Sequence, residues 1–380
     1  MKEITYADMK SLPEGSYEII DIRDEGRTAY GMIPGAINIF EGDLEESGEL
    51  ARIPKDRKLI FYCEIGRRSR EMDDTAGVLE GRDCYSLAEG YVGFVRAGLK
   101  ACDGGEDRQK KAEESIRKKF HKQLFSPFAR ACKKYRLIEE GDHIAVCISG
   151  GKDSMLMAKL LQEIRRHRHV NFDLTFLVMD PGYNRENRAL IESNAEALGI
   201  PITVFESTIF DTVDVIEKSP CYLCARMRRG YLYSKAKEMG CNKIALGHHF
   251  DDVIETILMG MIHGAQIQTM MPKLHSTNFE GMELIRPLYL VREADICAWR
   301  DYNDLHFLQC ACHFTDTCTT CHEDGTTSSK RLETKKFIAE LKKTNPYIET
   351  NIFRSMENVQ LDTVIEYKKD GVRHNFLDEY

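Results

Sequence analysis

The sequence predicts an α/β protein in which a small amino-terminal domain precedes a larger one built on a doubly wound parallel sheet. Three observations predict this. Apolar runs of strand length alternate with helical patterns along residues 1–103, and more regularly from Asp142 onward. Two of those runs, at 58–63 and 143–149, lead into glycine-containing turns that open helical patterns. Between them, a polar stretch at 102–107 marks the place where the local charge reverses.

Composition narrows the class. With 42% hydrophobic and 30% charged residues in a chain of 380, two or three ordinary globular cores are expected. No run of about 18 apolar residues is present to cross a bilayer, and Met1 to Lys10 lacks the apolar core of a signal peptide. The expected setting is cytoplasmic, with no membrane partner. Thirteen cysteines in a reducing compartment point to metal binding or sulfur chemistry rather than disulfides. Six isolated ones, Cys84, Cys102, Cys132, Cys147, Cys241 and Cys297, are expected to be small buried hydrophobes.

In the first domain, strand-like runs at 17–21, 36–39 and 58–63 alternate with helical patterns. The last run ends in Cys63-Glu64-Ile65-Gly66-Arg67-Arg68-Ser69-Arg70, followed by a helical pattern over 69–79. Backbone amides, a helix N-terminus and arginines beside Cys63 favour thiolate over thiol, so this sulfur can be held as a persulfide.

Residues 1–103 hold 14 basic and 21 acidic side chains, whereas 108–136 hold 11 basic and 2 acidic ones. Within the basic segment Ile116, Phe120, Leu124 and Phe128 recur at helical spacing. Two uses fit it: a surface that contacts phosphates, or a solvated amphipathic helix that joins two domains.

From there, strand-like segments at 143–149, 174–180, 202–206 and 243–247 alternate with helical patterns at 155–168 and 188–198. Such a rhythm gives a parallel sheet with helices on both faces and ligands at the carboxyl ends of the strands. The first strand runs into Ser149-Gly150-Gly151-Lys152-Asp153-Ser154. Here glycines let amides approach phosphate oxygens, the helix N-terminus adds its dipole, Lys152 bridges phosphate charge, and Ser149 and Ser154 offer hydroxyls. The spacing is not that of GxxxxGK[ST], which needs glycine where Val146 stands. Farther on, Gly247-His248-His249-Phe250-Asp251-Asp252, with Glu255 and Thr256, closes a strand and opens a helix. Its carboxylates, Asp252 in particular, are candidates to hold Mg²⁺ against pyrophosphate, and helix capping is the alternative for Asp251.

Cys221-Tyr222-Leu223-Cys224, before Arg226, Arg228 and Arg229, is a redox dithiol or half a metal site. Cys310, Cys312, Cys318 and Cys321, with His313 and His322, form a second dense group suited to structural Zn²⁺.

These motifs carry three resemblances. SGGKDS resembles the pyrophosphate loop of the PP-loop ATP pyrophosphatases. The stretch from CYLCARMRRG through KIALGHHFDD to MMPKL is similar to the tRNA 2-thiocytidine synthetases, over roughly residues 115–360. CEIGRRSR, with Asp21-Ile22-Arg23 and Gly31-Met32-Ile33-Pro34-Gly35-Ala36-Ile37-Asn38, resembles a single rhodanese domain of form CxxGxRS, with Met32 where that family often has histidine.

The resemblances imply a rhodanese-like sulfur carrier at 1–103, a basic helical linker at 104–140, a PP-loop thiolation domain at 141–360 and a tail at 361–380. They imply ATP cleaved between its α- and β-phosphates, adenylation of a tRNA base oxygen, cytidine C2 foremost, and its replacement by sulfur. Cys63, Arg68 and Ser69 are the implied catalytic group, and the loop from Ser149 to Ser154 with Asp252 the nucleotide site. A [4Fe–4S] cluster on Cys221, Cys224 and a third cysteine is also implied. Cys310 is preferred as that third ligand, Cys318 comes next, and a separate zinc site is the alternative. The expected partners are tRNA and an upstream persulfide donor such as a cysteine desulfurase, with a homodimer open. A uridine or small-molecule acceptor, or a non-enzymatic sulfur relay, is the rival reading.

Overall fold

Runs rich in isoleucine, leucine and aromatic residues become the strands, and each ends at a glycine or polar turn. The computed structural model describes residues 1–13, 15–28, 31–44, 48–72, 77–101, 105–183, 185–207, 220–307, 330–378 and 380. They fall into two units: Met1–His249 with Pro272–Thr326, and Phe250–Met271 with Thr327–Tyr380.

The first unit holds two sheets. Strands β1 (Lys2–Ile4), β2 (Tyr17–Asp21), β3 (Ile37–Asn38), β4 (Lys58–Tyr62) and β5 (Cys84–Leu87) lie in the order β1-β5-β4-β2-β3, every pairing parallel. Strand β4 is central, and its side chains alternate between two cores. Ile60 and Tyr62 face one cluster, while Leu59, Phe61 and Cys63 face the other.

Beyond β4 the expected helix over 69–79 is shorter and starts earlier. Helix α1 (Arg67–Glu71) stops where Met72 turns extended (φ −62°, ψ 139°), and Gly77–Leu79 forms a separate 3-10 turn. Helix α2 (Gly90–Ala101) follows β5 and presents Tyr91, Val92 and Val95 to the cluster that holds Tyr62.

Strands β6 (His143–Ile148), β7 (Asp173–Asp180), β8 (Ile202–Glu206), β9 (Lys243–Ala245), β10 (Lys273–His275) and β11 (Glu283–Ile285) form the second sheet, ordered β10-β11-β9-β6-β7-β8. All neighbours are parallel except β10 and β11. The strand expected at 243–247 ends at Ala245, because His248 N–H turns back to the Leu246 carbonyl at 3.0 Å. Around the sheet lie α3 (Gly105–Arg117), α4 (Ser126–Lys134), α5 (Lys152–His167), α6 (Arg185–Ala197) and α7 (Pro220–Glu238). In the basic segment Ile116, Phe120, Leu124 and Phe128 are all buried, while Lys110, Lys111, Lys118, Lys119 and Lys122 are exposed. An apolar stripe thus anchors the segment and turns its charge outward.

The second unit contains α8 (Phe250–Gly264), α10 (Lys330–Thr344), α11 (Ile348–Ser355) and a hairpin of β12 (Glu366–Lys369) and β13 (Val372–Asn375). Helix α9 (Glu293–Tyr302) belongs to the first unit. Phe250 stacks on Phe353 with ring centroids 4.7 Å apart. No helix among the described residues is long and apolar enough to cross a membrane.

Candidate active sites at two strand ends

The loop after β6 is shaped by hydrogen bonds among its own residues. Ser149 N–H and Ser149 Oγ both reach Ser154 Oγ, at 3.1 and 3.2 Å, and Ser154 Oγ donates to the Gly151 carbonyl at 3.0 Å. The Ser154 hydroxyl thus ties the loop together at the position expected to offer a hydroxyl to phosphate. Gly150 has φ +84°, and a Cβ there would stand 2.5 Å from Ile191 Cγ1, so this position excludes side chains. Gly247 serves a close approach: its Cβ would lie 3.1 Å from Ser154 N. The N-terminus of α5 opens at Lys152, directly after Gly151, so its first-turn amides lie at the strand end, an arrangement suited to anions.

Lys152 is 4% exposed. Its Nζ lies 3.2 Å from Asp153 Oδ2 and 3.2 Å from Glu293 Oε1, and His249 Nε2 is 3.9 Å from Asp153 Oδ1. Glu293 opens α9, 141 residues away along the chain, and local sequence gave no signal of this pairing. On the same helical face, at steps of four and three, stand Cys297 and Arg300. Burial raises the Cys297 thiol, with the charges of Lys152 and Arg300 acting against it. A cavity of about 250 Å³ adjoins the loop, lined by apolar Met179, Leu232 and Leu246 and by polar Tyr183, Arg228 and His248. Tyr183 is set there by Asp180, whose Oδ1 accepts the Gly182 and Tyr183 amides at 2.9 and 2.6 Å.

The loop after β4 repeats this plan with different side chains. Gly66 has φ +82°, and its Cβ would lie 2.3 Å from the Ala88 carbonyl oxygen. Cys63 is 3% exposed, and Ser69 Oγ lies 3.8 Å from its Sγ and 2.8 Å from Ser86 Oγ. Arg68 Nη1 is 3.9 Å from Glu41 Oε2. Behind the loop Arg23 is buried and grips Asp21 through Nε and Nη2 at 2.9 and 2.7 Å, Glu64 through Nη1 at 3.0 Å, and the Gly31 carbonyl at 2.7 Å. Burial opposes its charge, but the bonds to Asp21 and the charge of Glu64 outweigh burial and raise its pKa above the ordinary value. Tyr91 covers the guanidinium at 4.0 Å, and its N–H donates to the Cys63 carbonyl at 3.0 Å.

The remaining expected site residues are distributed as follows. Asp252 lies in the second unit, where Arg331 pairs with it and stands 3.6 Å from Glu255. Cys221 and Cys224 are on the first turns of α7. Cys310, Cys312, Cys318 and Cys321, like Cys102, lie outside the described residues. Of the isolated cysteines, Cys84, Cys132, Cys147 and Cys241 are buried, with burial pushing Cys132 and Cys147 up to about 12, while Cys297 is only half-buried.

Both domains match known families. The PP-loop domain family matches residues 115–312 and the rhodanese-like domain family residues 5–97. A tRNA-cytidine(32) 2-sulfurtransferase of Geobacter metallireducens is 33% identical over 65% of this chain and 93% of its own length. The enzyme of that name from Coxiella burnetii is 34% identical over 69% of this chain and 99% of its own. Among solved structures, the U34-tRNA thiolase NcsA from Methanococcus maripaludis, with its [4Fe-4S] cluster, aligns over 62% of this chain and 79% of its own, at 22% identity and a TM-score of 0.47. The chain belongs to the tRNA-cytidine(32) 2-sulfurtransferase family, with a rhodanese-like domain ahead of its PP-loop domain.

Proposed function

We propose that the protein uses ATP to adenylate the C2 oxygen of a tRNA cytidine and replaces that oxygen with sulfur first carried on Cys63. One observation carries the reading. The loop from Ser149 to Ser154 stands at the carboxyl end of a parallel strand with a buried lysine, in a chain that also holds a cysteine loop of rhodanese form. Phosphates over the α5 N-terminus meet amide donors and Lys152, which exchanges Glu293 and Asp153 for phosphate oxygens. Adenylation turns a poor leaving group into AMP, which the outer sulfur of the persulfide displaces; a second thiolate then breaks the sulfur–sulfur bond, leaving the sulfur on C2 and a disulfide that an external thiol reduces. The exposed lysines of 108–136, with Arg226 and Arg229, hold RNA phosphates, so activity falls as salt rises, while Arg228 lines the cavity beside the nucleotide loop.

Residues 221 and 224 stand about one helical turn apart at the start of α7, a spacing that suits two ligands of one cluster. With Cys310 as third ligand they would hold a [4Fe–4S] cluster, which when bound supplies an iron site for sulfur. Zinc on the cysteines of 310–322 is the alternative use of that segment, and Asp252 is the proposed Mg²⁺ carboxylate. A cysteine desulfurase fits the role of persulfide donor in the cytoplasm. Anaerobic incubation with ATP, a persulfide donor and a tRNA pool, followed by mass spectrometry of nucleosides, tests the proposal. It requires a thiolated cytidine together with pyrophosphate, both lost in Lys152→Ala. Pyrophosphate without any thionucleoside, from any tRNA, sinks it.

A further inference from the structure

We propose that the end of α5 farthest from the nucleotide loop carries a second RNA site, where a ladder of aromatic rings stacks unpaired bases of the same tRNA. The proposal rests on the reading of tRNA as substrate and adds a contact for bases other than the one that is thiolated.

The rings come from two places in the chain. His121–Phe125 is a single π-turn, closed by the Ser126 N–H on the His121 carbonyl, a form of helix that recurs at functional sites. It brings the His121 and Phe125 rings to 5.3 Å. Phe125 then meets His167, the last residue of α5, at 5.4 Å. His167 in turn lies parallel to His169 at 6.3 Å, with 4° between the planes. The bland use of such rings is packing in a core, but His121, His167 and His169 all stand in solvent and Phe125 is half-buried.

The ladder borders a cavity of about 790 Å³, which Phe125, His167 and His169 line together. Ile138, Ile164 and Val170 also line it, and all three pack on the buried core. A cavity of this size takes a small molecule or one part of a larger one. Apolar and ring-lined, it suits a flat base, whose faces stack on aromatic side chains whatever its sequence.

The surroundings are cationic. Lys133 and Arg136 line the cavity, Lys122 lies within the π-turn, and Arg165, Arg166 and Arg168 flank the two histidines. The carboxylates nearby are engaged. Arg117 holds both oxygens of Glu163 at 2.9 Å, Arg165 holds Asp173 at 2.8 Å, and Arg136 and Lys273 hold Glu139 at 3.0 and 3.2 Å. Glu140 accepts the backbone and side-chain N–H groups of Asn171 at 3.0 and 2.7 Å. Arg136 and Arg168 also have left-handed backbone, at φ 50° and 52°, just past α4 and α5. Glycine is the usual residue there, so two positive charges are kept beside the cavity against the backbone's preference. Positive charge around stacking rings matches unpaired RNA, an anion that carries a row of flat groups. An acidic peptide brings the charge without the row.

Distance separates this site from the chemistry. The 16 residues of α5 run from Lys152 to His167, about 24 Å of helix. A base in the cavity is therefore not the base adenylated over Lys152. Both contacts still fall within the length of one folded tRNA, and exposed Lys118, Lys119 and Lys122 lie in the segment that leads to the ladder.

The test uses the full chain and an unmodified tRNA transcript, with binding read by fluorescence anisotropy without ATP or persulfide. Replacing both histidines, His167→Ala with His169→Ala, is expected to weaken binding about tenfold, as the loss of one or two stacked bases does. The pair His167→Phe with His169→Phe keeps the rings and should keep most of the affinity, so that stacking rather than charge is read. Arg168→Gln should lower the salt slope of binding by about one. Unchanged tRNA affinity in the alanine pair overturns the proposal, as does a phenylalanine pair that binds as weakly as the alanine pair. So does an A-form RNA duplex that competes as well as a single strand of the same length, since its paired bases offer no faces. An alanine pair that binds tRNA normally but loses an acidic persulfide-donor protein gives the ladder to a protein partner and overturns it too. A wild-type chain that binds tRNA through the ladder yet forms no thionucleoside counts instead against the proposed function.

Discussion

The two loops each set a buried cation between two carboxylates, and they use it differently. At the rhodanese-like loop Arg23 lies between Asp21 and Glu64; at the nucleotide loop Lys152 lies between Asp153 and Glu293. The guanidinium fork holds its partners at 2.7 to 3.0 Å and adds a carbonyl, so its geometry is saturated. The ammonium holds Asp153 and Glu293 at the longer distance of 3.2 Å, contacts that a phosphate oxygen can replace. Arginine in the first place and lysine in the second are not interchangeable. The first cation is locked into the wall behind Cys63, and under the proposed function the second exchanges its carboxylates for substrate phosphate.

That contrast can be broken by substitution. Lys152→Met should lower pyrophosphate release the most, by about 10²–10³-fold as when one preorganised charge is lost. Arg23→Met should cost about 3–5 kcal/mol of unfolding free energy, because Asp21 and Glu64 are left buried without a counter-charge. The shift in the urea midpoint reports it, and Lys152→Met should move that midpoint by less than half as much. If the two variants destabilise equally, the distinction between a structural and an exchangeable cation is wrong. Gly150→Ala should cost about 1–3 kcal/mol of ATP binding or stability through its positive φ and the Ile191 contact. Ile191→Ala in that background should relieve the contact but not the backbone strain. The smallest effect is expected for Glu293→Gln, a few-fold fall in the rate of pyrophosphate release with Cys63 loading intact.

Both loops were legible because they are local. A strand, a glycine that no other residue can replace and a helix start lie within about ten residues of each other, and chemistry stands beside them in Cys63 and Lys152. Their supports were not legible. Glu293 meets Lys152 across 141 residues and Glu64 meets Arg23 across 41, so only folding brings them together. The alternation along β4 announces two buried faces, but not that Ile60 and Tyr62 share a core with the next domain. The helix drawn over 69–79 failed at Met72, whose extended backbone ends α1 even though the apolar pattern continues. That the Ser154 hydroxyl closes the loop on Gly151 was not legible either, because a hydroxyl's partner is set by the folded turn.

The central claim is that ATP activation at Lys152 and sulfur from Cys63 meet on one tRNA cytidine. A single turnover of the anaerobic full chain, with ³⁵S-persulfide on Cys63 and tRNA in excess, tests it by counting pyrophosphate against labelled nucleoside. The account predicts equal amounts of pyrophosphate and ³⁵S-thiocytidine, appearing together. Pyrophosphate released while the label stays on Cys63, or labelled nucleoside formed without pyrophosphate, would contradict it.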